Sequence, residues 1–301
     1  MSNNFENRLN ETAARVGAEL ETLLGDEALG GEIVRPPRLM AAIRHGVLNG
    51  GKRLRPFLLM QTAALFDASD ETALRASCAL ECLHSYSLVH DDLPCMDDDD
   101  LRRGKPTVHI AFDEALAVLA GDGLLTFAFD IMADPATSPD AEIRVRLVQL
   151  LARASGSGGM IGGQVLDMAA ETRTLSMDEI RQMQAMKTGA LIRFACEAGC
   201  VIGRASAAES ERLLRFGEII GEAFQLADDL LDVTADAKTM GKATGKDAAR
   251  GKKTLVDYLG IDGARSALQQ LQHEASALLE PFGERADLLK ETARFIVERT
   301  S

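Results

Sequence analysis

The stretch His84–Thr107 reads HSYSLVHDDLPCMDDDDLRRGKPT and guides the interpretation of the whole chain. Apolar residues lead into six aspartates within ten positions, and two arginines and a lysine follow. Like charges at this density repel one another unless cations lie between them. Carboxylate oxygens suit hard cations such as Mg2+, and arginines suit phosphate oxygens. Asp97–Asp100 alone would indicate a solvated acidic loop, but the whole stretch predicts a site for Mg2+ and phosphate groups.

A second acidic cluster, Phe224–Asp232 (FQLADDLLD), lies inside a helical pattern far downstream. At 3.6 residues per turn, one stripe of this helix holds Gln225, either Asp228 or Asp229, and Asp232. Carboxylates on a mostly apolar helix are costly to bury without a cation. We therefore expect the two clusters to face each other across a cavity and to hold a polyanion through bridging metal ions.

Composition and charge argue against several classes of protein. The chain has 301 residues, a net charge of -13 and five cysteines. The negative charge argues against nucleic acid or an anionic membrane as a partner. We judge the apolar runs too short to span a membrane, and the polar N-terminus lacks the character of a signal peptide. We therefore expect a cytoplasmic protein without stable membrane insertion, whose cysteines at 78, 82, 196 and 200 are reduced core residues.

The hydrophobic periodicity predicts a single all-α domain over residues 1–301. Aromatic residues make up only 4% of the chain and tryptophan is absent, which favours helix–helix packing over sheet. No stretch alternates with period two for long enough to predict a strand. The glycine-rich stretch 156–163 allows close approach of backbones or a kinked helix, and indicates either tight packing or room for a ligand. Helices are predicted at 4–24, 38–48, from Pro56 onward, 72–92, 109–133, 140–154, 177–189, 190–202, 208–236, 254–259, 262–280 and 285–299.

Three motifs, in this order, resemble those of the isoprenyl diphosphate synthase family, the trans-prenyltransferases, over residues 38–258. Gly50–Pro56 (GGKRLRP) resembles the segment that binds the homoallylic diphosphate. Asp91-Asp92 with Asp97 resembles the first aspartate-rich motif, in the form with four residues between the pair and the last aspartate. Asp228–Asp232 (DDLLD) resembles the second. The resemblance implies an all-α, single-domain helical bundle around a deep central cavity.

The resemblance also implies roles for individual residues. Three Mg2+ ions, with Mn2+ as a substitute, would be held by Asp91, Asp97 and Asp228, and through bound water by Asp232. The isopentenyl diphosphate pocket would be formed by Lys52, Arg55, His84 and Arg103. The allylic diphosphate would be bound by Arg102, Lys187, Thr188, Gln225 and Lys242. The implied catalytic residues are the five that bind the allylic diphosphate together with Asp91, Asp92, Asp97, Asp228 and Asp229.

The implied reaction is the head-to-tail condensation of isopentenyl diphosphate with an allylic diphosphate. The allylic carbon–oxygen bond ionises while metal ions and cationic side chains stabilise the charge on the departing pyrophosphate. Tyr86, five positions before Asp91, and its neighbour Ser87 would limit the depth of the cavity. Together with the insertion Pro94-Cys95, this pattern resembles short-chain bacterial members of the family. We therefore expect farnesyl diphosphate from dimethylallyl or geranyl diphosphate.

Other activities stay open at this point. A geranylgeranyl diphosphate synthase of the same family would differ in cavity depth. A class I terpene cyclase or a head-to-head synthase would not need the pocket that contains Lys52 and Arg55, and a non-catalytic subunit should have lost aspartates that this chain keeps. A homodimer is expected by resemblance alone. The lysine-rich loop 238–253 is expected to close over bound diphosphate, with no role assigned to Lys246, Lys252 or Lys253.

Overall fold

The computed structural model describes residues 3–238 and 253–298, most of which are helical. Within these ranges the only strands are β1 (Leu101–Arg102) and β2 (Lys105–Pro106), an antiparallel pair. The predicted all-α class is therefore confirmed. The helices are α1 (Asn3–Leu23), α2 (Pro37–Val47), α3 (Leu54–Ala64), α4 (Asp70–Asp91), α5 (Val108–Ala111), α6 (Glu114–Ala133), α7 (Ala141–Ser155), α8 (Met160–Ala169), α9 (Met177–Gln184), a π-helix (Ala185–Gly189), α10 (Ala190–Ile202), α11 (Ala207–Lys238), α12 (Leu255–Leu279), a 3-10 helix (Glu280–Ala286) and α13 (Asp287–Glu298).

The predicted helices differ from the observed ones at a few identifiable positions. The helix predicted over 109–133 is divided, because the Asp113 side chain accepts a hydrogen bond from the Leu116 N–H at 2.8 Å and caps α6. Helix α3 begins at Leu54, two residues before Pro56. Helix α8 was not predicted, and the last five residues of the helix predicted at 177–189 form the π-helix. Gly260 adopts a positive φ of 70° and divides α12 close to the predicted boundary.

The chain divides into two compact units. Among the described residues, the first unit contains 3–60 and 68–148, and the second contains 61–67, 149–238 and 253–298. Each unit buries apolar side chains of its own, such as Phe57, Leu80 and Leu124 in the first and Phe194 and Phe216 in the second. The single domain expected over the whole chain stays a prediction.

In the first unit, α4 packs along α6, with α1 and α2 against α4. Glycines allow this close approach. A Cβ atom on Gly46 would lie 2.8 Å from Val89 Cγ2, and one on Gly121 would lie 2.1 Å from His90 Nε2. Larger residues at these two positions would therefore force the helices or their side chains apart.

Four of the five cysteines are buried, as predicted. Cys78 and Cys82 lie in the core of the first unit, Cys196 and Cys200 lie in that of the second, and all four are free thiols. Burial raises the pKa of Cys200 to about 12. These residues therefore behave as small apolar core groups, whereas Cys95 is exposed in the loop that follows α4.

Helix α6 corrects one statement made from the sequence. It is long and apolar enough, by length and composition, to cross a membrane, so the judgement that no apolar run reaches that length was wrong. A core helix of a folded protein passes the same test, and Gly121, Leu124 and Ala128 of α6 are buried. The expected absence of stable membrane insertion stays a prediction.

Candidate active site

The loop after α4 brings the two ends of the first aspartate motif together. The Asp97 N–H donates to the Asp91 carbonyl at 2.8 Å, and the Asp99 N–H donates to the Asp92 carbonyl at 3.2 Å. Asp98 takes a left-handed backbone conformation with φ of 53°, which aspartate tolerates better than most residues. The four residues between Asp92 and Asp97 thus form a closed loop that returns Asp97 to the end of α4.

Asp92 and Arg102 form a nearly buried ion pair. The Arg102 Nε donates to Asp92 Oδ1 at 3.0 Å and its Nη2 donates to the same oxygen, while Nη2 lies 3.7 Å from Asp99 Oδ2. Burial raises the pKa of Asp92, and the hydrogen bonds from Arg102 oppose that rise. The β1–β2 hairpin carries Arg102 back to α4 for this contact. Asp92 therefore orients Arg102, the arginine predicted to bind the allylic diphosphate.

The GGKRLRP segment is fastened to α4 by a buried ion pair. Arg53 Nη1 donates to Glu81 Oε1, and Nη2 of the same arginine donates to the Val47 carbonyl. The two side chains are only 3% and 2% exposed. Arg53 has a positive φ of 50°, so the turn between α2 and α3 depends on this anchor. The neighbouring Lys52 is exposed.

The substitution Glu81→Gln should lower the free energy of unfolding by about 3–5 kcal/mol, because it leaves the Arg53 charge buried without its counter-ion. Chemical denaturation with circular dichroism measures the change. Glu21→Gln is the control, since Glu21 is exposed on α1 and its loss should change stability by no more than about 0.5 kcal/mol. An equal, small effect of both substitutions would contradict the importance of the buried pair.

Arg55 and His84 are in contact, as expected for residues of one pocket. The Arg55 Nη1 lies 3.4 Å from His84 Nε2, and since an arginine only donates, the imidazole accepts through Nε2. Burial, followed by the nearby charge of Arg55, holds the pKa of His84 well below its usual value. Ser87 donates its hydroxyl to the His84 carbonyl at 2.8 Å. His84 is therefore neutral and orients the Arg55 guanidinium.

Arg103 lies against the turn that precedes Lys52. Its Nη1 donates to Asn49 Oδ1 at 3.0 Å and to the Gly50 carbonyl. A Cβ atom on Gly51 would lie 2.5 Å from the Arg103 Cζ, and Gly51 has a φ of 113°, so another residue would be strained here and would displace the Arg103 guanidinium. The first unit thus brings Arg103 to the GGKRLRP segment, while Arg55 of the same segment contacts His84.

Tyr86 is buried on α4 beside His90, the residue that contacts α6. It is 5% exposed, and its ring packs edge-on against His90 with the ring centroids 5.6 Å apart. The His90 Nε2 donates to the Val118 carbonyl at 3.0 Å and fits beside Gly121 only because glycine has no side chain. Burial raises the pKa of Tyr86 to about 12, so the phenol is neutral at physiological pH. Tyr86 therefore presents a fixed, uncharged ring five residues before the first aspartate.

In the second aspartate motif, Asp229 shares a stripe of α11 with Gln225. Gln225 Nε2 donates to Asp229 Oδ1 at 3.1 Å, and its Oε1 accepts from the Thr188 hydroxyl at 3.0 Å. Gln184 Nε2 donates to Asp229 Oδ2 at 2.9 Å. Asp229 is buried, whereas Asp228 is half-buried and Asp232 is exposed on the same helix. Asp229 therefore links α11 to the residues around the π-helix.

Lys187 leaves the π-helix toward α8 and forms an ion pair with Asp167 at 2.6 Å. Of the two alternatives that the glycine-rich stretch left open, tight packing is observed at Gly163, where a Cβ atom would lie 2.2 Å from the Lys187 nitrogen. π-Helical turns are rare and occur mostly at functional sites. The structure thus brings Thr188 and Gln225 together in the second unit, whereas Lys187 pairs with Asp167.

Some residues of this region were missed or cannot be placed. The sequence predicts no role for Gln184 or His90. Gln184 could have been found, because it lies one helical turn before Thr188 and residues at this spacing share a helix face. The sequence likewise indicates no role for Asp167. The loop predicted to close over diphosphate lies almost entirely outside the described residues, together with Lys242, Lys246 and Lys252.

The aspartate clusters fit Mg2+ by their donor chemistry. Within residues 3–238 and 253–298, no group of three His, Cys, Asp or Glu side chains is arranged to hold a metal ion by itself. Mg2+ is usually bound through one or two carboxylates, with substrate phosphates and water completing its octahedron. The carboxylates of Asp91, Asp97 and Asp228 suit that mode of binding.

Comparison with known proteins supports the same interpretation. The sequence profile of the polyprenyl synthetase family matches residues 36–286. The chain is 43% identical over 271 residues to farnesyl diphosphate synthase of Escherichia coli, covering 87% of this chain and 89% of that protein. It is 40% identical over 270 residues to the chloroplastic geranylgeranyl pyrophosphate synthase of Catharanthus roseus, covering 89% and 76%.

Solved structures agree with the sequence comparison. The crystal structure of an FPP/GFPP synthase from Zymomonas mobilis, in its apo form, superposes with a TM-score of 0.88. It shares 43% sequence identity, and the match covers 99% of this chain and 100% of the other. The predicted class of enzyme, a prenyltransferase, is confirmed. The chain belongs to the polyprenyl synthetase family.

Proposed function

We propose that the chain condenses isopentenyl diphosphate with dimethylallyl and geranyl diphosphate, head to tail, and that farnesyl diphosphate is its main product. The observation that carries the product assignment is Tyr86, which is buried and fixed against His90 five residues before Asp91. A rigid ring at this position limits the length of prenyl chain that fits beyond the aspartates. Several bacterial relatives named farnesyl diphosphate synthase, among them two that are 41% and 43% identical, support the same product.

The allylic diphosphate is bound, in this proposal, by both aspartate clusters. Asp91 and Asp97 hold Mg2+ at the first, and Asp228, with Asp232 through water, holds it at the second, giving three ions for which Mn2+ can substitute. Bound Mg2+ would neutralise the charge that develops on the departing pyrophosphate.

Two cationic side chains assigned to this diphosphate are already oriented by ion pairs with aspartates. Arg102 is oriented by Asp92, and Lys187 by Asp167 at 2.6 Å. A diphosphate offers each cation stronger, charge-assisted hydrogen bonds at the moment when the carbon–oxygen bond breaks. Thr188 and Gln225 add neutral hydrogen bonds, and we assign Lys242 to the same group from its sequence motif.

Isopentenyl diphosphate is assigned to Lys52, Arg55, Arg103 and His84. Lys52 is exposed and able to reach a phosphate, while Arg55 is oriented by the neutral His84. The alkene attacks the allylic cation, and the proton that is then lost passes to the departing pyrophosphate. Water must be excluded while the cation exists, since it would quench it.

Product analysis tests this proposal. The purified protein is incubated with Mg2+, labelled isopentenyl diphosphate and, separately, dimethylallyl, geranyl or farnesyl diphosphate. A fifteen-carbon diphosphate from the first two, with little extension of the third, is the expected result. A twenty-carbon product would instead make it a geranylgeranyl diphosphate synthase, like the Catharanthus relative. Consumption of an allylic diphosphate without isopentenyl diphosphate would overturn the reaction in favour of a cyclase or a head-to-head synthase.

We further propose a homodimer that works in the cytoplasm, without nucleic acid as a partner. Helix α6 supports self-association because Val118 and Leu119 are 40% and 54% exposed on it. Exposed apolar side chains mark a protein interface when they form a contiguous patch, and these two neighbours would contribute to one. Light scattering during size-exclusion chromatography measures the mass, and a monomer at micromolar concentration would refute the dimer.

A further inference from the structure

The carboxylate of Asp229 is held from two directions by side-chain amides. Gln184 Nε2 lies 2.9 Å from Asp229 Oδ2, and Gln225 Nε2 lies 3.1 Å from Asp229 Oδ1. Gln184 and Asp229 are 8% and 5% exposed. A buried carboxylate depends strongly on such donors, because water cannot replace them. The orientation of Asp229 is therefore set in part by Gln184.

The same contacts fix the register between two chain segments. Gln184 and Thr188 are four residues apart, and so are Gln225 and Asp229. Gln184 pairs with Asp229 and Thr188 pairs with Gln225, so the segments run antiparallel with one hydrogen bond near each end of the π-helix. Asp228, a proposed Mg2+ ligand, is the immediate neighbour of Asp229. A rotation or slip of the π-helix would therefore alter both the Asp228 backbone and the position of Lys187.

Glycines leave little freedom for the π-helix to adjust. On one side a Cβ atom at Gly163 of α8 would lie 2.2 Å from the Lys187 nitrogen. On the other side a Cβ atom at Gly221 of α11 would lie 2.9 Å from the Gly189 Cα. Close-packed backbones transmit a displacement instead of absorbing it. Loss of the hydrogen bond between Gln184 and Asp229 should therefore also displace catalytic side chains that neither residue contacts.

We propose that Gln184 is a positioning residue for catalysis. Its amide holds Asp229 and thereby sets α11, which carries Asp228, against the π-helix, which carries Lys187 and Thr188. This inference rests on the proposed function, since it takes these residues to bind Mg2+ and the allylic diphosphate. Gln184 itself needs no contact with either ligand. Outer partners of metal ligands change metal affinity or activity about 10–100-fold when they are replaced, and we expect this range for Gln184 because it holds the immediate neighbour of Asp228.

The decisive variant is Gln184→Met, which keeps the length of the side chain and removes the N–H donor. We expect kcat to fall and the Mg2+ concentration for half-maximal rate to rise, each about 10–100-fold. The KM for isopentenyl diphosphate should stay unchanged, because Lys52, Arg55 and His84 belong to the first unit. Gln184→His, which retains an N–H at comparable reach, should recover most of the loss. Gln182→Met is the matched control on the exposed face of α9.

A second readout does not depend on turnover. Mg2+ with inorganic pyrophosphate should raise the Tm of the wild type, Gln182→Met and Gln184→His, and should raise that of Gln184→Met much less. A lower ligand-free Tm of Gln184→Met with unchanged kcat, Mg2+ dependence and ligand-induced shift would show a merely structural role and overturn the proposal. If the wild type condensed no substrate, the proposed function would fail, and the Tm shifts alone would decide whether Gln184 controls ligand binding.

Discussion

Replacing Tyr86 with alanine should lengthen the main product from fifteen to twenty or more carbons. The phenol ring is buried and packs edge-on against His90. Alanine removes the whole ring and leaves room for a further isoprene unit. Chromatography of the products from geranyl and from farnesyl diphosphate measures the change, and farnesyl diphosphate should become a good substrate. Because large-to-small substitutions in a core cost about 3–5 kcal/mol, the assay must be run well below the Tm of the variant.

Tyr86→Phe is the matched control for this experiment. It keeps the ring and the edge contact with His90 and removes only the hydroxyl, so the fifteen-carbon product should persist. If Tyr86→Ala still stopped at fifteen carbons, another side chain would limit the cavity, and the product assignment would lose its structural basis.

Asp91→Asn should lower kcat about 10²–10³-fold, the range observed when one electrostatic contact to a developing charge is removed. Asp91 ends α4, and its carbonyl receives the Asp97 N–H, a backbone contact that the substitution keeps while it replaces one carboxylate oxygen with a neutral NH2 group. Asparagine binds Mg2+ more weakly than aspartate does, and higher Mg2+ concentrations should restore only part of the rate. Initial rates over a series of Mg2+ concentrations measure both effects.

Asp98→Asn is the control in the same loop. Asp98 is exposed, and its left-handed backbone conformation suits asparagine as well as aspartate. It also lowers the negative charge of the cluster by one, as Asp91→Asn does, so a general electrostatic effect would appear in both variants. Equal rates for the two variants would show that Asp91 has no special role.

The fold was predictable from periodicity because most helices have one apolar face. The helix at 190–202 was predicted with its observed bounds. The π-helix was not, since five residues of π-helix carry nearly the same apolar pattern as five of α-helix. Helix α3 includes two residues before Pro56, because a proline in the first turn removes an N–H that has no partner within the helix.

The candidate site was predictable where its residues lie close together in sequence. The aspartates and the basic residues around them stand in recognisable order in His84–Thr107 and in Gly50–Pro56. The partner of Gln184 lies 45 residues away, and only the packing of α11 against the π-helix reveals it. Similarly, the pairing of Arg102 with Asp92 depends on a hairpin of two-residue strands, which is too short to leave a pattern in the sequence.

The cysteines give this protein a ready attachment point for spectroscopic labels. Cys95 is exposed between the aspartates of the first motif, whereas the other four thiols are buried. A maleimide reagent added to the native protein should therefore attach to Cys95 alone, because buried thiols are inert. A fluorophore or spin label at that position would report ligand binding at the first motif without any engineered cysteine.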